Sequence, residues 1–318
     1  GITSIVIGLT LQNSVGQIIS GLLMLFEQPF QIGDWLDTAA ARGRVVEVNW
    51  RAVHLETGGG LLITPNSVLA GASFTNLSRP SDAHSITVIT IFSLDDPPNQ
   101  VCAMLTRLAA ELPTRRREGT VSSTPAGGLT YHTTIPLHSP ADDAETKTTF
   151  LQWVWYASRR MGLHLDEAED EFSTPERLAD AVSRVIAPTL HLSAEEQAEL
   201  APAATLERYA IGEAIQRAGE VPEGMRFIVS GRIQLTTGTA DEPGAVIGIL
   251  DEGGYLGQST LTRQPVIGSA HALDEVTVVH VERDYIETVV QRNPLLLQEF
   301  GRVIEDRRAH AQRALTAE

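Results

Sequence analysis

The chain has 318 residues, with 24 basic and 40 acidic side chains and a net charge of −16 at neutral pH. Because nucleic-acid affinity depends on basic residues that neutralise phosphates, this balance argues against a nucleic-acid-binding protein. The content of 42% apolar and 20% charged residues excludes a chain that is disordered throughout. A single cysteine, Cys102, excludes an internal disulfide and favours a reducing compartment.

The opening 26 residues carry no acidic or basic side chain, and Glu27 is the first. They comprise 14 apolar residues, four glycines and eight uncharged polar residues. As a helix this stretch would reach roughly 39 Å, whereas the hydrocarbon core of a bilayer measures about 30 Å. So many polar side chains are typical of a helix that lines a water-filled path. We therefore predict a transmembrane pore helix over residues 1–27, in a fragment whose upstream spans are missing. A buried helix of a soluble protein is the alternative.

A series of short motifs follows in a fixed order. They are 8–14 (GLTLQNS), 21–23 (GLL), 28–34 (QPFQIGD), 43–48 (GRVVEV), 63–67 (ITPNS) and 76–79 (NLSR). Over roughly residues 1–170 this series resembles the small-conductance mechanosensitive channel (MscS) family. The resemblance implies a bacterial homoheptamer in the cell membrane, multi-pass in the full-length protein, which releases ions and small osmolytes under membrane tension. Its partners would be the lipid bilayer and the permeating ions.

The same resemblance places the gate of the pore on Leu9 and, one helical turn earlier, on Ile5. Bulky aliphatic side chains suit a hydrophobic constriction that closes by dewetting; packing against neighbouring helices is the alternative role. The family often bends this helix at a glycine where the present chain has Asn13, and Asn interrupts a helix less readily than Gly. The positions that we expect to pack or kink the pore helix are Gly8, Asn13, Gly16 and Gly21.

The middle of the chain is predicted to be a scaffold of two domains. Short apolar runs separated by Gly, Asn and Pro over residues 28–85 predict a small, Sm-like β barrel, the MscS-type β domain. Within it, Gly58–Gly60 predicts a tight hairpin. Residues 86–171 alternate between strand and helix periodicities in the order strand, helix, strand, helix, which predicts the MscS-type α/β domain. Residues 172–190 are predicted to be a linker with a helical stretch that ends before Pro188.

The last third, residues 191–318, is predicted to be a second module. A capping-box pattern at Ser193 begins a helix, and a β-rich region with regular glycine turns follows. The motifs are 209–215 (YAIGEAI), 216–220 (QRAGE), 225–235 (MRFIVSGRIQL) and 253–257 (GGYLG). They resemble the cyclic-nucleotide-binding domain, a β-roll of the jelly-roll type with flanking helices. A single helix is expected from Arg283 to the C-terminus.

The resemblance also implies a ligand site around residues 257–261 (GQSTL). In the family this segment is Gly-Glu-x-Ala-Leu: the Glu holds the ribose hydroxyl and a later Arg pairs with the cyclic phosphate. Here Gln258 replaces the Glu, and Val266, with Ile267 as the alternative, stands where the Arg belongs. Val cannot make a charge-assisted bond. The candidate nucleotide-binding residues are Gly257, Gln258, Ser259, Thr260 and Val266. A cyclic nucleotide ligand and a structural or differently liganded β-roll are both open.

The leading interpretation is therefore a mechanosensitive channel subunit with a cytoplasmic, cyclic-nucleotide-binding-like regulatory domain. The alternative, a soluble cyclic-nucleotide-responsive regulator, would need a recognition helix and a basic surface after the β-roll. Residues 172–318 instead hold 22 acidic and 13 basic side chains. The chain contains no His-Glu-x-x-His, Cys-x-x-Cys or Gly-x-Ser-x-Gly motif, so we expect no catalytic residue, no metal site and no enzyme.

Overall fold

The computed structural model describes residues 18–19, 21–79, 84–237 and 244–316. They fall into two compact units. One comprises the described residues up to Ile86 together with Pro136–Ala144, and the other comprises Thr87–Ile135 and the described residues from Glu145 onward.

The first unit is a small antiparallel β domain. Its elements are α1 (residues 21–27), β1 (Trp35–Asp37), β2 (Arg42–Val48), β3 (Ala52–Thr57), β4 (Gly60–Pro65), α2 (Asn66–Ala70) and β5 (Thr75–Asn76). The strand order is β4-β3-β2-β1-β5. The predicted β domain is thus present, and its five strands form one sheet with β4 and β5 at its two edges. Strand β5 has only two residues, and both pair with β1.

A tight hairpin and a contact between helices α1 and α2 shape this domain. Thr57 pairs with Gly60 across a two-residue turn, which is the predicted tight hairpin. Helix α1 lies against the start of α2, since a Cβ built on Gly21 would lie 3.1 Å from Asn66 Cβ. Asn66 is buried and its side-chain amide donates to the carbonyl of Asn49 at 3.0 Å. A side chain larger than hydrogen at position 21 would therefore press on a fixed residue.

An α/β lobe follows in the chain. Its elements are β6 (His84–Ile91), α3 (Pro98–Glu111), β7 (Ser122–Gly127), β8 (Thr130–Leu137), a 3-10 turn (Pro140–Asp142) and α4 (Asp143–Arg160). The strands form a sheet in the order β6-β8-β7. Strand β7 is an addition to the predicted strand-helix-strand-helix order. Its residues are mostly exposed and lack apolar alternation, so the sequence periodicity gives no strand signal there.

The two tryptophans of helix α4 differ in their burial. Trp153 is 2% exposed and Trp155, two residues further, is half-buried. Residues two apart on a helix point in different directions. Trp153 therefore lies in the core, and the indole of Trp155 stacks under the guanidinium of Arg159 at 3.8 Å.

A helical connector leads from the lobe to the last module. It consists of α5 (Pro175–Ala181), a π turn (Val182–Ile186), α6 (Ala187–Leu190), α7 (Ala194–Leu200) and a 3-10 turn (Ala201–Ala203). The helix continues through Pro188, where the sequence predicted its end. A π turn that ends two residues before Pro188 replaces the regular i→i−4 ladder, to which the proline cannot donate. The capping box at Ser193 is present, with Glu196 as its partner.

The last module is the predicted β-roll. Its strands are β9 (Ala204–Tyr209), β10 (Ala214–Gln216), β11 (Gly224–Ser230), β12 (Ile233–Thr236), β13 (Val246–Leu250), β14 (Tyr255–Leu256), β15 (Ser269–Ala272) and β16 (Val276–Glu282). They form two four-stranded antiparallel sheets, β10-β15-β12-β13 and β14-β11-β16-β9. One apolar cluster lies between the sheets, and a larger one, which includes Phe227 and Phe300, joins the second sheet to the flanking helices.

Two helices close the module where one was predicted. Helix α8 spans Arg283–Arg292 and α9 spans Pro294–Thr316. Between them Asn293 lies outside the helical region, with φ −128° and ψ 84°. A residue before proline is driven out of the helical region by the proline ring, so Pro294 breaks the predicted single helix. The break sets the direction of α9, which returns over the β-roll.

None of the helices among the described residues is both long and apolar enough to cross a bilayer. Most of the predicted pore helix falls on residues 1–17 and 20, which lie outside the described part of the chain. The gate residues Ile5 and Leu9, and Gly8, Asn13 and Gly16, are among them.

Candidate ligand site in the C-terminal β-roll

The turn after β14 has a backbone that only glycine fits. Gly257 has φ +82°, and a Cβ built there would lie 2.3 Å from the carbonyl oxygen of Gly224. Both the positive φ and the close approach exclude other residues without rearrangement. Gly257 thus directs the chain into a buried 3-10 turn, Gln258–Thr260.

Thr260 anchors this turn from behind. Its hydroxyl donates to the carbonyl of Pro222 at 2.9 Å and accepts from Nε of Arg283 at 2.8 Å. Arg283 also donates to the same carbonyl at 2.9 Å. Thr260 is completely buried, so Gly257 and Thr260 shape and hold the turn. Neither lines the cavity next to it.

The cavity beside the turn has a volume of about 60 Å³ and opens between β12, β15, the 3-10 turn and α9. Its walls include Gln216, Leu235, Gln258, Ser259, Val266 and Arg307. Three of the five sequence-predicted site residues, Gln258, Ser259 and Val266, are brought together here. A typical small-molecule site has roughly 300–1,000 Å³. The present space holds a few water molecules or one small polar group.

Val266 contributes an apolar side chain and backbone contacts. Its N–H donates to the carbonyl of Glu220 at 3.0 Å, and its carbonyl accepts from the N–H of Gly219 at 2.8 Å. Position 266, where the resemblance places the family's Arg, lies at the wall of the cavity but offers no charge. Arg263, which is near in sequence, is 71% exposed and lies 3.9 Å from Glu287, and it does not line the cavity.

The cation of this cavity comes from α9, and the sequence comparison missed it. Nη1 of Arg307 donates to Oε1 of Gln258 at 3.2 Å, and Nη2 donates to the carbonyl of Tyr255 at 2.9 Å. Burial lowers the pKa of Arg307. The two residues Gln258 and Arg307 are 49 positions apart. Only the break before α9, marked by Pro294, could have hinted that this helix returns to the turn.

Ser259 is another polar residue that lines the cavity. Ser259 is 8% exposed, and its hydroxyl makes no hydrogen bond among the described residues. A buried hydroxyl without a partner costs roughly 1–3 kcal/mol. Gln258, at 6% exposed, is the other buried polar side chain of the turn that lines the cavity, and its Oε1 accepts a hydrogen bond from Arg307.

The β-roll also contacts the α/β lobe within the second unit. Nε1 of Trp153 donates to the carbonyl of Ile211 at 3.0 Å. Arg217, which follows β10, pairs with Glu111 of α3, and Nη2 to Oε2 measures 2.8 Å. Gln216, next to Arg217, lines the cavity. The strand that forms one wall of the cavity is therefore tied to the lobe.

Within the described ranges, no group of three or more His, Cys, Asp or Glu side chains could hold a metal ion. His271 and His280 are half-buried on strands β15 and β16 of the β-roll. Burial lowers the pKa of His271, and it also lowers the pKa of His280. Both rings are thus held neutral near pH 7, which suits a structural role in the strands.

Two family models match separate parts of the chain. Residues 13–79 match the mechanosensitive ion channel beta-domain, and residues 206–293 match the cyclic nucleotide-binding domain. The chain is 31% identical over 80 residues to an MscS family protein of Bacillus subtilis, an alignment that covers 25% of this chain and 22% of that protein. It is 30% identical over 113 residues to a small-conductance mechanosensitive channel of Caldanaerobacter subterraneus, covering 35% of this chain and 39% of that protein.

The aligned parts span well under half the length of these two relatives. Among solved structures, MscS of Helicobacter pylori in its closed state is 16% identical, with a TM-score of 0.44, and the match covers 55% of this chain and 70% of that chain. The chain thus contains a segment that matches the mechanosensitive ion channel beta-domain, followed by a segment that matches the cyclic nucleotide-binding domain, which is the combination that its sequence motifs predicted.

Proposed function

We propose that the chain is part of a mechanosensitive channel subunit of the MscS type, which opens under membrane tension and releases ions and small osmolytes. The observation that carries the proposal is the channel β-domain match, which begins within the uncharged opening segment and ends at Arg79. A pore helix and the β domain would then be continuous in the chain, as the channel requires. The same match disfavours a soluble cyclic-nucleotide-responsive regulator.

The outer face of α1 supports a membrane or subunit contact. Met24 is 7% exposed and packs in the core of the β domain. On the same helix Leu22, Leu23 and Phe26 are 47%, 52% and 78% exposed. Neighbouring exposed apolar side chains of this size mark an interaction surface. In the proposed assembly, a homo-oligomer of the heptameric type in the cell membrane, other copies or lipid cover this face.

The β-roll would be the cytoplasmic regulatory domain of this subunit, with a cyclic nucleotide as its candidate ligand. Its match to the cyclic nucleotide-binding domain supports this assignment. The ties between β-roll and α/β lobe at Trp153 and Arg217 give it a physical connection to the rest of the second unit. We assign the protein no catalytic role.

The gate is tested by replacing its predicted leucine. Patch-clamp recording of the full-length protein with Leu9→Ser should show a lower tension threshold, because a polar ring favours a wetted pore. Leu9→Ile is the matched control and should leave the threshold close to that of the unaltered channel. An unchanged threshold in Leu9→Ser would remove Leu9 from the gate.

A further inference from the structure

The β-roll cavity has an unusual balance of charge. Arg307 and Arg308 both line it, and no carboxylate does so among the described residues. Arg308 is exposed and donates to Oε1 of Gln264 at 2.5 Å. Arg307 is half-buried, and the hydrogen-bond acceptors of its guanidinium among the described residues include no carboxylate. Charged groups taken out of water are normally paired, so an unpaired guanidinium at a cavity calls for an anion.

The donors of Arg307 are only partly used. A guanidinium has five N–H donors in a planar fork, and the two protein acceptors are neutral oxygens, Oε1 of Gln258 and the carbonyl of Tyr255. Ser259 lines the same cavity, and its buried hydroxyl has no hydrogen-bond partner in the described part of the chain. A bidentate guanidinium and a free hydroxyl together match the oxygens of a phosphate group.

We propose that Arg307 of α9, together with the hydroxyl of Ser259, receives the phosphate of an anionic ligand in the β-roll cavity, in the role that Val266 cannot fill. The ligand class is a phosphate ester of the cyclic nucleotide type. This inference rests on the proposed regulatory domain, and it adds that the phosphate contact is carried by a terminal helix. The cavity of about 60 Å³ accommodates the phosphate group, and α9 moves outward to admit the remainder of the ligand.

Calorimetry on the full chain in detergent tests the proposal without any need for channel activity. The probes are cyclic AMP, cyclic GMP, inorganic phosphate and adenosine, which lacks the phosphate. We expect at least one cyclic nucleotide to bind and adenosine to bind more weakly by about tenfold or more, since hydrogen bonds to charged groups contribute roughly 1.5–3 kcal/mol. Inorganic phosphate that binds as tightly as the nucleotides would identify a free anion as the ligand and would still support the phosphate site. Adenosine that binds as tightly as cyclic AMP, or no binding of any probe, would overturn it.

The assignment to Arg307 is tested by substitution. Arg307→Gln should lower the affinity for the cyclic nucleotide by about tenfold or more, and Arg307→Lys should recover part of that loss. Arg308→Gln, one residue further on α9, should change the affinity little. An Arg307→Gln protein that binds as tightly as the unaltered chain would contradict the proposal. So would an unaltered chain that binds nothing while Val266→Arg binds, because the phosphate would then need position 266.

Ser259→Ala separates a ligand contact from a structural one. Removing a buried hydroxyl that has no partner should leave the melting temperature unchanged or raise it. The affinity for the cyclic nucleotide should nevertheless fall by several-fold. A variant that loses stability and keeps its affinity would assign Ser259 to the fold alone. A channel that proves insensitive to tension would refute the proposed function and leave these binding results standing.

Discussion

Arg160 at the end of α4 and Glu213 in the turn before β10 form an ion pair in which Glu213 is completely buried. Oε2 of Glu213 also accepts from the N–H of Ala210 at 2.9 Å, and Nη1 of Arg160 donates to the carbonyl of Arg208 at 2.5 Å. Burial raises the pKa of Glu213, and Arg160 opposes that rise. The pair joins the α/β lobe to the β-roll through a fully buried carboxylate and an arginine whose side chain is 14% exposed.

Removing the arginine should therefore be costly. Arg160→Ala leaves a buried carboxyl without its partner, and such changes destabilise proteins by about 3–5 kcal/mol. Urea unfolding of the second unit, followed by far-UV circular dichroism, measures the loss. Arg184→Ala is the matched control, since Arg184 pairs with Glu252 at 2.8 Å on the surface and should cost less than about 1 kcal/mol. Equal losses in the two variants would refute the buried coupling.

The indole of Trp153 forms the second link between lobe and β-roll. Trp153→Phe keeps an aromatic ring in the core but removes the donor to the carbonyl of Ile211, so the free energy of unfolding should fall by about 1–3 kcal/mol. Trp50→Phe, at a position that is 73% exposed, should leave it nearly unchanged. Hydrogen exchange of the residues around Ile211 should speed up in the first variant only. The link would be disproved if exchange there stayed at its original rate.

Gly257 allows a matched comparison of strain and contact. Gly257→Ala and Gly219→Ala both force alanine into positive φ, at +82° and +85°. Only at 257 does the new Cβ meet the backbone, 2.3 Å from the carbonyl oxygen of Gly224, whereas nothing lies within 4 Å at 219. Gly257→Ala should be less stable than Gly219→Ala by about 1–3 kcal/mol, in the range for overpacking. Thermal unfolding of the two variants measures the difference, and equal melting temperatures would contradict the close approach.

The turn at 257–260 and the helix α9 differ in how far sequence could predict them. The glycine-led turn is local, so its motif was recognisable from a few adjacent residues. The contact between Arg307 and Gln258 depends on where α9 returns, and no periodicity encodes that register. The continuation of the connector helix through Pro188 was also not predicted, because a π turn leaves no signal in the amino-acid composition.

His271 should make the stability of the β-roll dependent on pH. Burial lowers the pKa of His271; Arg217 beside it lowers it further, and Glu111 opposes this. The unfolded chain, with an ordinary histidine pKa of about 6.5, then binds the proton more readily than the folded chain. The contribution of neutral His271 to the stability of the folded state is fully present above a pH of about 6.5. It is lost as the pH falls from there through the lower pKa of the folded state.

Hydrogen exchange of strand β15 between pH 7.5 and 5.5, corrected for the intrinsic exchange rate, measures this effect. Protection should decline towards the acid end in the unaltered protein and decline less in His271→Gln. His310→Gln, at an exposed position of α9, serves as the control and should keep the original slope. A slope that is the same in all three proteins would exclude His271 as its source.

Much of the domain order was predictable, since channel and β-roll motifs each occupy contiguous segments. The two ion pairs of Arg160 and Arg217 were not, since each joins residues of the lobe to residues of the β-roll that are 53 and 106 positions away. Strand β7 was not predicted either, because its pairing with β8 does not depend on a buried apolar face.

The proposal that this chain is part of a tension-gated channel is tested most directly by pressure-clamp recording of the full-length protein reconstituted in liposomes. The account predicts currents that are absent at rest and appear as suction raises the tension of the membrane. A preparation that contains the folded, inserted protein and stays silent at every tension up to rupture of the patch would contradict it.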